Sequence, residues 1–273
     1  MTVRKALAEG TAALEQARCP SPAVDAEWLL AHVLGVSRSA LHTDGRELAA
    51  AELDRFRALL ARRASREPLA YILGEWGFGR LTLKVDPRVL IPRPETESVV
   101  ERCLVLLRGV EEPSVLDIGA GSGAIALAIA DERPDARVVA TDVSVSALEV
   151  AEENRRRASV DGRVRFVQGD LLAGEAGPFD LVVSNPPYVA PDELAALEPE
   201  LRSEPREALV GQGGHGTVAR AALETLVPGG ALVLEVADGQ AGEVAGLLEE
   251  LGFREVTVSD DLAGRERVVE GRR

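Results

Sequence analysis

The sequence predicts an α/β protein in which a small helical bundle precedes a doubly wound, mostly parallel sheet. Three observations lead to this prediction. Residues 2–66 repeat apolar side chains at helical spacing, whereas strand-like and helix-like segments alternate from about residue 113 onwards. Charge divides the chain in the same way, because residues 1–75 contain ten Arg or Lys and ten Asp or Glu, so the remainder carries the whole net charge of −14.

The helical bundle is predicted from segments with recognisable ends. In SPAVDAEWLLAHVLG, Pro22 suits the first turn of a helix and Gly35 suits its end. The expected apolar face of this helix contains Val24, Trp28, Leu29 and His32. Glycines and prolines then alternate with large apolar residues, which predicts a β-hairpin and a stiff connector. We therefore divide the chain into a helical unit (1–75), a hairpin connector (76–94) and an α/β domain (95–273).

The α/β domain is predicted from five buried strand-like segments separated by helices. The segments are SVLDIG, ARVVATDV, VRFVQGD, FDLVVSN and GALVLEVA. A last pair of strands around DDLAGRERVV is expected to form an antiparallel hairpin at the C-terminus. Parallel sheets of this kind bind ligands at the carboxyl ends of their strands, so the functional residues are expected there.

A glycine-rich loop follows the first of these strands. It comprises Gly119, Ala120, Gly121, Ser122 and Gly123. Such a loop lets a ligand approach the backbone N–H groups at the start of a helix. Asp142 ends the second strand, where a carboxylate can accept both ribose hydroxyls, and Asp170 follows the third, within reach of an adenine amino group. The pattern indicates a nucleoside cofactor, and Asp142 alone fits NAD equally well.

The stretch NPPY after the fourth strand narrows the chemistry. The prolines Pro186 and Pro187 remove backbone donors and leave carbonyl acceptors. Asn185 and Pro186 can each accept one hydrogen of an NH2 group, while Tyr188 can lie against its planar face. Holding both hydrogens fixes the direction of the nitrogen lone pair, and a sulfonium methyl is the matching electrophile. We therefore predict methyl transfer to an amide or exocyclic amine, with Asn185, Pro186 and Tyr188 as catalytic residues.

Composition excludes several other classes of function. A net charge of −14 disfavours direct binding to nucleic acid or to an anionic membrane. The two cysteines and three histidines have no metal-ligand spacing, so no metal is predicted. We expect a cytoplasmic protein, because no signal peptide or membrane-spanning run is visible.

Seven segments closely resemble the release factor glutamine methyltransferases of the HemK/PrmC family. These segments are EPLAYILG, VLIPRPETE, VLDIGAGSGAIALAIA, NPPYV, EPREAL, VPGGALVLEVADGQ and DDLAGRERVV. The resemblance implies a class I S-adenosylmethionine-dependent fold and methylation of the glutamine amide in the Gly-Gly-Gln motif of class-1 peptide release factors.

The resemblance also implies roles for individual residues. By it, the loop Gly119–Gly123, Asp142 and Asn185 bind S-adenosylmethionine, and residues 185–188 hold the glutamine. The residue after Asp170 contacts the cofactor in some relatives, where it is aromatic; here it is Leu171. Further departures are Ala120, Ala237 and the stretch VGQGGHGTVAR after EPREAL.

Three alternatives remain open on the sequence. The first is a methyltransferase for nucleobase amines in DNA or RNA, which shares the NPPY stretch but usually carries a basic recognition domain. The second is a cofactor-binding regulator without catalysis, which would not require an amide-binding loop. The third is an NAD dehydrogenase, whose usual glycine spacing, G-x-G-x-x-G, differs from that found here.

Overall fold

The computed structural model describes residues 1–43, 45–160, 162–211 and 214–273. The chain forms two compact units. The first consists of Met1–Gly74 together with Leu197–Ser203, and the second of Glu75–Ala196 together with Glu204–Arg273. The short segment Leu197–Ser203 therefore belongs to the helical unit, although the sequence on both sides of it belongs to the other unit. No sequence pattern indicated this.

The first unit is a helical bundle. Its helices are α1 (Val3–Gln16), α2 (Pro22–Leu34), α3 (Arg38–Leu41), α4 (Ala50–Ala64) and α5 (Leu69–Leu73). Leu29, Leu30 and Phe56 lie in its core and are at most 1% exposed. Gly35 ends α2 in the left-handed conformation, with φ of 64°.

The predicted apolar face of α2 is wrong at three of its four positions. Val24 and Trp28 are 42% and 39% exposed, and His32 is exposed as well. The buried side is instead built around Leu29 and Leu30, with small alanines beside them. α2 is apolar around most of its circumference, so periodicity alone did not identify the buried side. The Trp28 ring lies 5.2 Å from the guanidinium carbon of Arg38, a cation–π contact at the surface.

An ionic network holds the segment Leu197–Ser203 within the helical unit. Arg63 is 4% exposed; its Nε donates to Asp25 at 2.7 Å and its Nη1 lies 2.8 Å from a carboxylate oxygen of Glu200. Arg66 donates to both carboxylate oxygens of Glu200, at 2.7 and 2.6 Å. Arg63 and Arg66 thus hold Glu200 in place, and loss of the buried Arg63 would leave the charges of Asp25 and Glu200 without this partner.

The second unit is an α/β domain. Its elements are β1 (Glu75–Phe78), β2 (Leu81–Lys84), α6 (Pro94–Leu106), β3 (Ser114–Ile118), α7 (Ala124–Glu132), β4 (Arg137–Asp142), α8 (Val145–Ala158), β5 (Val164–Gln168), β6 (Phe179–Ser184), α9 (Arg206–Leu209), α10 (Gly214–Thr225), β7 (Leu226–Glu235), α11 (Ala241–Glu250), β8 (Arg254–Asp260) and β9 (Glu266–Arg272). β1 and β2 form the predicted hairpin.

The seven-stranded sheet has the order β5-β4-β3-β6-β7-β9-β8. The first five strands in this order are parallel, and β9 pairs antiparallel with both β7 and β8. The predicted fold class is therefore confirmed, including the antiparallel C-terminal pair. In the described part of the chain, every helix is too short or too polar to cross a lipid bilayer.

The strand order creates a crevice at the carboxyl end of β3. The chain runs from β3 outwards to β4 and β5 and then returns to β6 on the other side of β3, which is where open α/β sheets bind ligands. Ile118 of β3 is paired with Ser184 of β6. The glycine loop and Asn185 are the next residues on each strand, so they begin side by side. The hydroxyl of Ser184 donates to the carbonyl of Ile118 at 2.6 Å, which joins the two strand ends.

Candidate active site

The glycine loop is shaped by its glycines and by Asp142. Gly119, Gly121 and Gly123 all have φ between 53° and 87°, a region that favours glycine. A Cβ at Gly123 would also lie 3.0 Å from the Phe166 ring. Asp142 accepts a hydrogen bond from the N–H of Gly121 at 2.8 Å with one oxygen. The loop is thus held by a side chain from the neighbouring strand.

Asp142 retains the capacity to bind a ligand. Its second oxygen accepts from the N–H of Ser144 at 2.8 Å, immediately before α8. A carboxylate has about four lone-pair sites, so two acceptor sites remain after these two bonds. Because both bonds come from backbone groups, the carboxylate is oriented by the protein. This geometry fits two vicinal hydroxyl donors such as those of a ribose.

Asp170 and Leu171 follow β5 at the same edge of the sheet. Asp170 is exposed, and Leu171 adopts a φ of 47°, uncommon for a residue with a side chain. Its carbonyl accepts from the hydroxyl of Thr141 at 2.6 Å, which ties this turn to β4. Leu171 places an aliphatic side chain at the border of the cavity.

The NPPY stretch is packed against the region after EPREAL. A Cβ at Gly211 would lie 2.7 Å from the carbonyl oxygen of Pro187, and one at Gly214 would lie 3.2 Å from Pro186. The N–H of Val189 donates to the carbonyl of Leu209 at 3.0 Å, so a backbone hydrogen bond joins the residue after NPPY to the last residue of EPREAL. The departure VGQGGHGTVAR therefore supplies the small residues that this packing requires, at its described positions.

A cavity of about 360 Å³ unites these features within the α/β domain. This volume lies in the range of small-molecule sites, roughly 300–1,000 Å³. Ten predicted site residues border it: Gly119, Ala120, Gly121, Ser122, Asp142, Asp170, Leu171, Asn185, Pro186 and Pro187. Two predicted residues do not border it in the described structure. Gly123 instead caps the start of α7, and Tyr188 lies half-buried beyond the prolines.

Tyr188 lies in a polar environment. Burial raises the pKa of its phenol, with a further contribution from the carboxyl of Glu235. The hydroxyl therefore stays protonated at neutral pH. The ring is half-buried, and the residue is separated from Asn185 by the two rigid prolines.

Sequence reasoning missed several residues at the border of the cavity. Arg93 and Thr96 of IPRPETE and Glu207 of EPREAL all border it. The two motifs are joined by Glu204, which is 6% exposed, accepts from the N–H of Ile91 at 3.0 Å and pairs with Arg93. Both motifs contributed to the family resemblance, so the sequence did mark these segments. Their residue spacing, however, did not indicate a function for any residue in them.

Two buried acids flank the crevice. Burial raises the pKa of Asp117 to about 7, and burial likewise raises the pKa of Glu235 to about 7, partly offset by its hydrogen bond with Thr96. Asp117 accepts from the N–H of Ala126 at 3.2 Å, which links β3 to the first turn of α7. One oxygen of each acid has no hydrogen-bond partner among the described residues.

Fold and cavity together define a class I methyltransferase: a glycine loop after β3, an acid at the end of β4 and an acceptor-rich NPPY stretch after β6. The chain matches the PrmC N-terminal domain over residues 5–74 and the methyltransferase small domain over residues 102–227. A solved methyltransferase from Pyrococcus furiosus shares the fold, with a TM-score of 0.53 and 22% identity over 70% of this chain and 88% of that chain.

Full-length relatives identify the family. The chain is 45% identical to the release factor glutamine methyltransferase of Deinococcus radiodurans, over 100% of this chain and 99% of the relative. It is 47% identical to that of Burkholderia pseudomallei, over 93% of each. The chain belongs to the release factor glutamine methyltransferase family.

Proposed function

We propose that this enzyme transfers a methyl group from S-adenosylmethionine to the side-chain amide nitrogen of the glutamine in the Gly-Gly-Gln motif of class-1 peptide release factors. The observation that carries this proposal is the pairing of Ile118 with Ser184, which sets the cofactor loop and the amide acceptors side by side on one cavity. Family membership and the names of the full-length relatives support it.

The residues of the chain perform two tasks in this reaction. Gly119–Gly123, Asp142, Asp170, Leu171 and Asn185 hold the cofactor, which supplies an electrophilic methyl group on its sulfonium. Asn185 Oδ1 and the Pro186 carbonyl accept the two amide hydrogens of the glutamine. An amide lone pair is delocalised and weakly nucleophilic, so its orientation towards the methyl carbon is the main contribution of the protein.

Tyr188 and Pro187 complete the proposed acceptor site. The two prolines restrict the loop, which keeps the carbonyl of Pro186 directed at the substrate. Tyr188 does not border the cavity in the described structure, so the proposed contact of its ring with the planar amide forms only once the glutamine is bound. Its hydroxyl is not required for the reaction.

Asn185→Ala tests the assignment of the amide site. Single-turnover methylation of intact release factor, followed by mass spectrometry, should fall about 100-fold or more, as for a removed positioning group. Because Asn185 is also assigned a cofactor contact, affinity for S-adenosylhomocysteine, measured in parallel, should fall as well, but far less than the rate. A decrease in rate smaller than about threefold would contradict the proposal. Parallel reactions with DNA and RNA oligonucleotides test the nucleobase alternative, for which we expect no product.

We further propose that the helical unit is the docking surface for the folded release factor. A standard protein interface covers roughly 800 Å² per partner, more than a glutamine-binding cleft supplies. A protein beginning at Glu75 should bind S-adenosylmethionine within a few-fold of the full chain but lose most activity on intact release factor. Methylation of a short Gly-Gly-Gln peptide should be affected far less.

This truncation needs a matched control. Removing residues 1–74 also removes Arg63 and Arg66, the partners of Glu200. Arg66→Ala in the full chain disrupts this network and leaves the bundle in place. If Arg66→Ala reproduced the loss caused by truncation, displacement of the segment Leu197–Ser203 would explain the loss and the docking proposal would fail.

A further inference from the structure

Asn154, in the third turn of α8, is a buried side chain outside the site described above. It is 0% exposed, and its amide group makes three hydrogen bonds to backbone. Its Oδ1 accepts from the N–H of Lys84 at 2.6 Å, and its Nδ2 donates to the carbonyls of Lys84 at 3.0 Å and Ser122 at 2.9 Å. One side chain thus bonds both backbone groups of one residue and the carbonyl of another.

The two bonded segments form different walls of the cavity. Ser122 belongs to the glycine loop and borders the cavity. Lys84 is the last residue of β2, and the chain that follows it reaches the cavity at Arg88–Leu90. Asn154 itself does not border the cavity in the described structure. It joins the two walls from behind.

The bonding pattern requires an amide. Lys84 N–H needs an acceptor, whereas the two carbonyls need donors, and this assignment fixes the orientation of the Asn154 side chain. A carboxylate of the same size offers no donor, and an aliphatic side chain offers neither. Towards Lys84 the amide bonds as a neighbouring β-strand would, using one donor and one acceptor.

Two further links between α8 and the connector reinforce the first. Lys84 Nζ donates to Glu153 of α8 at 2.5 Å. Arg88 donates to both oxygens of Asp86, at 2.8 and 2.7 Å, and to Glu149 of α8 at 3.0 Å. These links lie at the partly exposed border, however, and do not reach the glycine loop. Asn154 alone connects α8, the connector and Ser122 among the hydrogen bonds of the described residues.

We infer that Asn154 is a positioning residue for cofactor binding, which holds the Ser122 carbonyl and the end of β2 at the separation that S-adenosylmethionine requires. The inference rests on the proposed cofactor site but not on the identity of the methyl acceptor. Replacing Asn154 should therefore change the affinity for the cofactor, because Asn154 contacts neither the NPPY stretch nor the amide to be methylated.

Asn154→Asp is the sharpest test, because it preserves the volume and the bond from Lys84 N–H. It places a second carboxylate oxygen opposite two carbonyl oxygens, so the glycine loop should move. The dissociation constant for S-adenosylhomocysteine, measured by calorimetry, should rise at least about tenfold, as expected when hydrogen-bonded groups of a binding site are displaced. At saturating S-adenosylmethionine, the single-turnover rate should change by less than about threefold.

Asp180→Ala, which removes the acceptor, provides the matched control. Asp180 accepts from the N–H of Ser114 at 2.8 Å, at the opposite end of β3 and β6. It is also a side chain that binds backbone, so its loss should lower the melting temperature without changing the dissociation constant for S-adenosylhomocysteine. If Asn154→Asp behaved in the same way, Asn154 would be a structural residue only and the inference would be overturned.

Hydrogen exchange on the wild-type protein gives an independent readout should Asn154→Asp fail to fold. Binding of S-adenosylhomocysteine should slow exchange of the Lys84 amide, whose acceptor is Asn154, by several-fold. Unchanged exchange at Lys84 under saturation would also overturn the inference. The dissociation constant and the exchange rate both report cofactor binding and need no methyl acceptor. A failure to methylate release factor would therefore refute the proposed substrate without affecting these two measurements.

Discussion

Replacement of Asp142 by alanine should weaken both cofactor binding and the folded state. The carboxylate accepts one hydrogen bond from Gly121 N–H and one from Ser144 N–H, each at 2.8 Å. The first bond shapes the glycine loop and the second holds the start of α8. Both exist before any ligand binds, so the substitution removes preorganisation as well as contacts to the ligand.

The magnitude follows from the bonds lost. Hydrogen bonds to a charged group contribute about 1.5–3 kcal/mol. Loss of the ribose contacts should therefore weaken S-adenosylmethionine binding by about 1.5–3 kcal/mol, roughly 10- to 150-fold in dissociation constant. The free energy of unfolding without ligand should fall by about 1–3 kcal/mol, because the site is partly exposed and water replaces part of the interaction.

Calorimetric titration with S-adenosylmethionine and urea unfolding without ligand measure the two effects separately. Asp142→Asn serves as a graded control, since its single amide oxygen can accept from either Gly121 or Ser144. We expect it to lie between wild type and Asp142→Ala in both measurements. Unchanged affinity in Asp142→Ala, with lowered stability, would refute the ribose assignment. NAD should not compete with S-adenosylmethionine in the same titration.

Three further predictions concern individual side chains. Tyr188→Phe should retain single-turnover activity within an order of magnitude, because the ring and not the hydroxyl is assigned to the substrate; a loss as large as that of Asn185→Ala would contradict this. Glu204→Ala leaves Arg93 and the N–H of Ile91 without their acceptor, so urea unfolding should show a loss of about 2–4 kcal/mol. Burial raises the pKa of Asp117 to about 7, so the folded protein keeps a proton that the unfolded chain releases near pH 4, and stability is lost as pH rises through this window. Asp117→Asn should remove this fall in the free energy of unfolding, which amounts to up to about 4 kcal/mol between pH 4 and pH 8 in the wild type. If urea unfolding showed the same fall in the variant as in the wild type, Asp117 would not be the group responsible.

The sheet and the glycine loop were predictable because their signals are local. Each strand is a short apolar run, and each helix between strands has its own period. Asp142 is the last residue of its strand, so the alternation of elements was enough to place it at the ligand edge. The position of Tyr188 beyond the cavity border was not predictable, because the path of the chain after two prolines depends on what packs against them. Here, Gly211 lies against Pro187 and Gly214 against Pro186.

Other parts of the site depend on contacts between residues far apart in the sequence. Glu204 bonds Arg93, 111 positions away, and Glu200 joins the helical unit through Arg63 and Arg66. In the sequence both glutamates stand in polar surroundings typical of an exposed loop. A single sequence gives the residue type but not its partner, so the same pattern predicts a solvated charge and a buried ion pair equally well.

For Asn154, helical periodicity indicated a buried position but could not identify the partner of its side chain. The segment AEENRRRA is strongly polar, which favours an exposed position. Yet Asn154 stands three and four residues after Ala151 and Val150, which are buried with Ala147 on one side of α8. A polar residue in the apolar stripe of a helix needs a buried partner, so the period predicts a structural or positioning role. The partner itself lies in β2, 70 residues upstream, and only the folded hairpin brings its backbone to the amide.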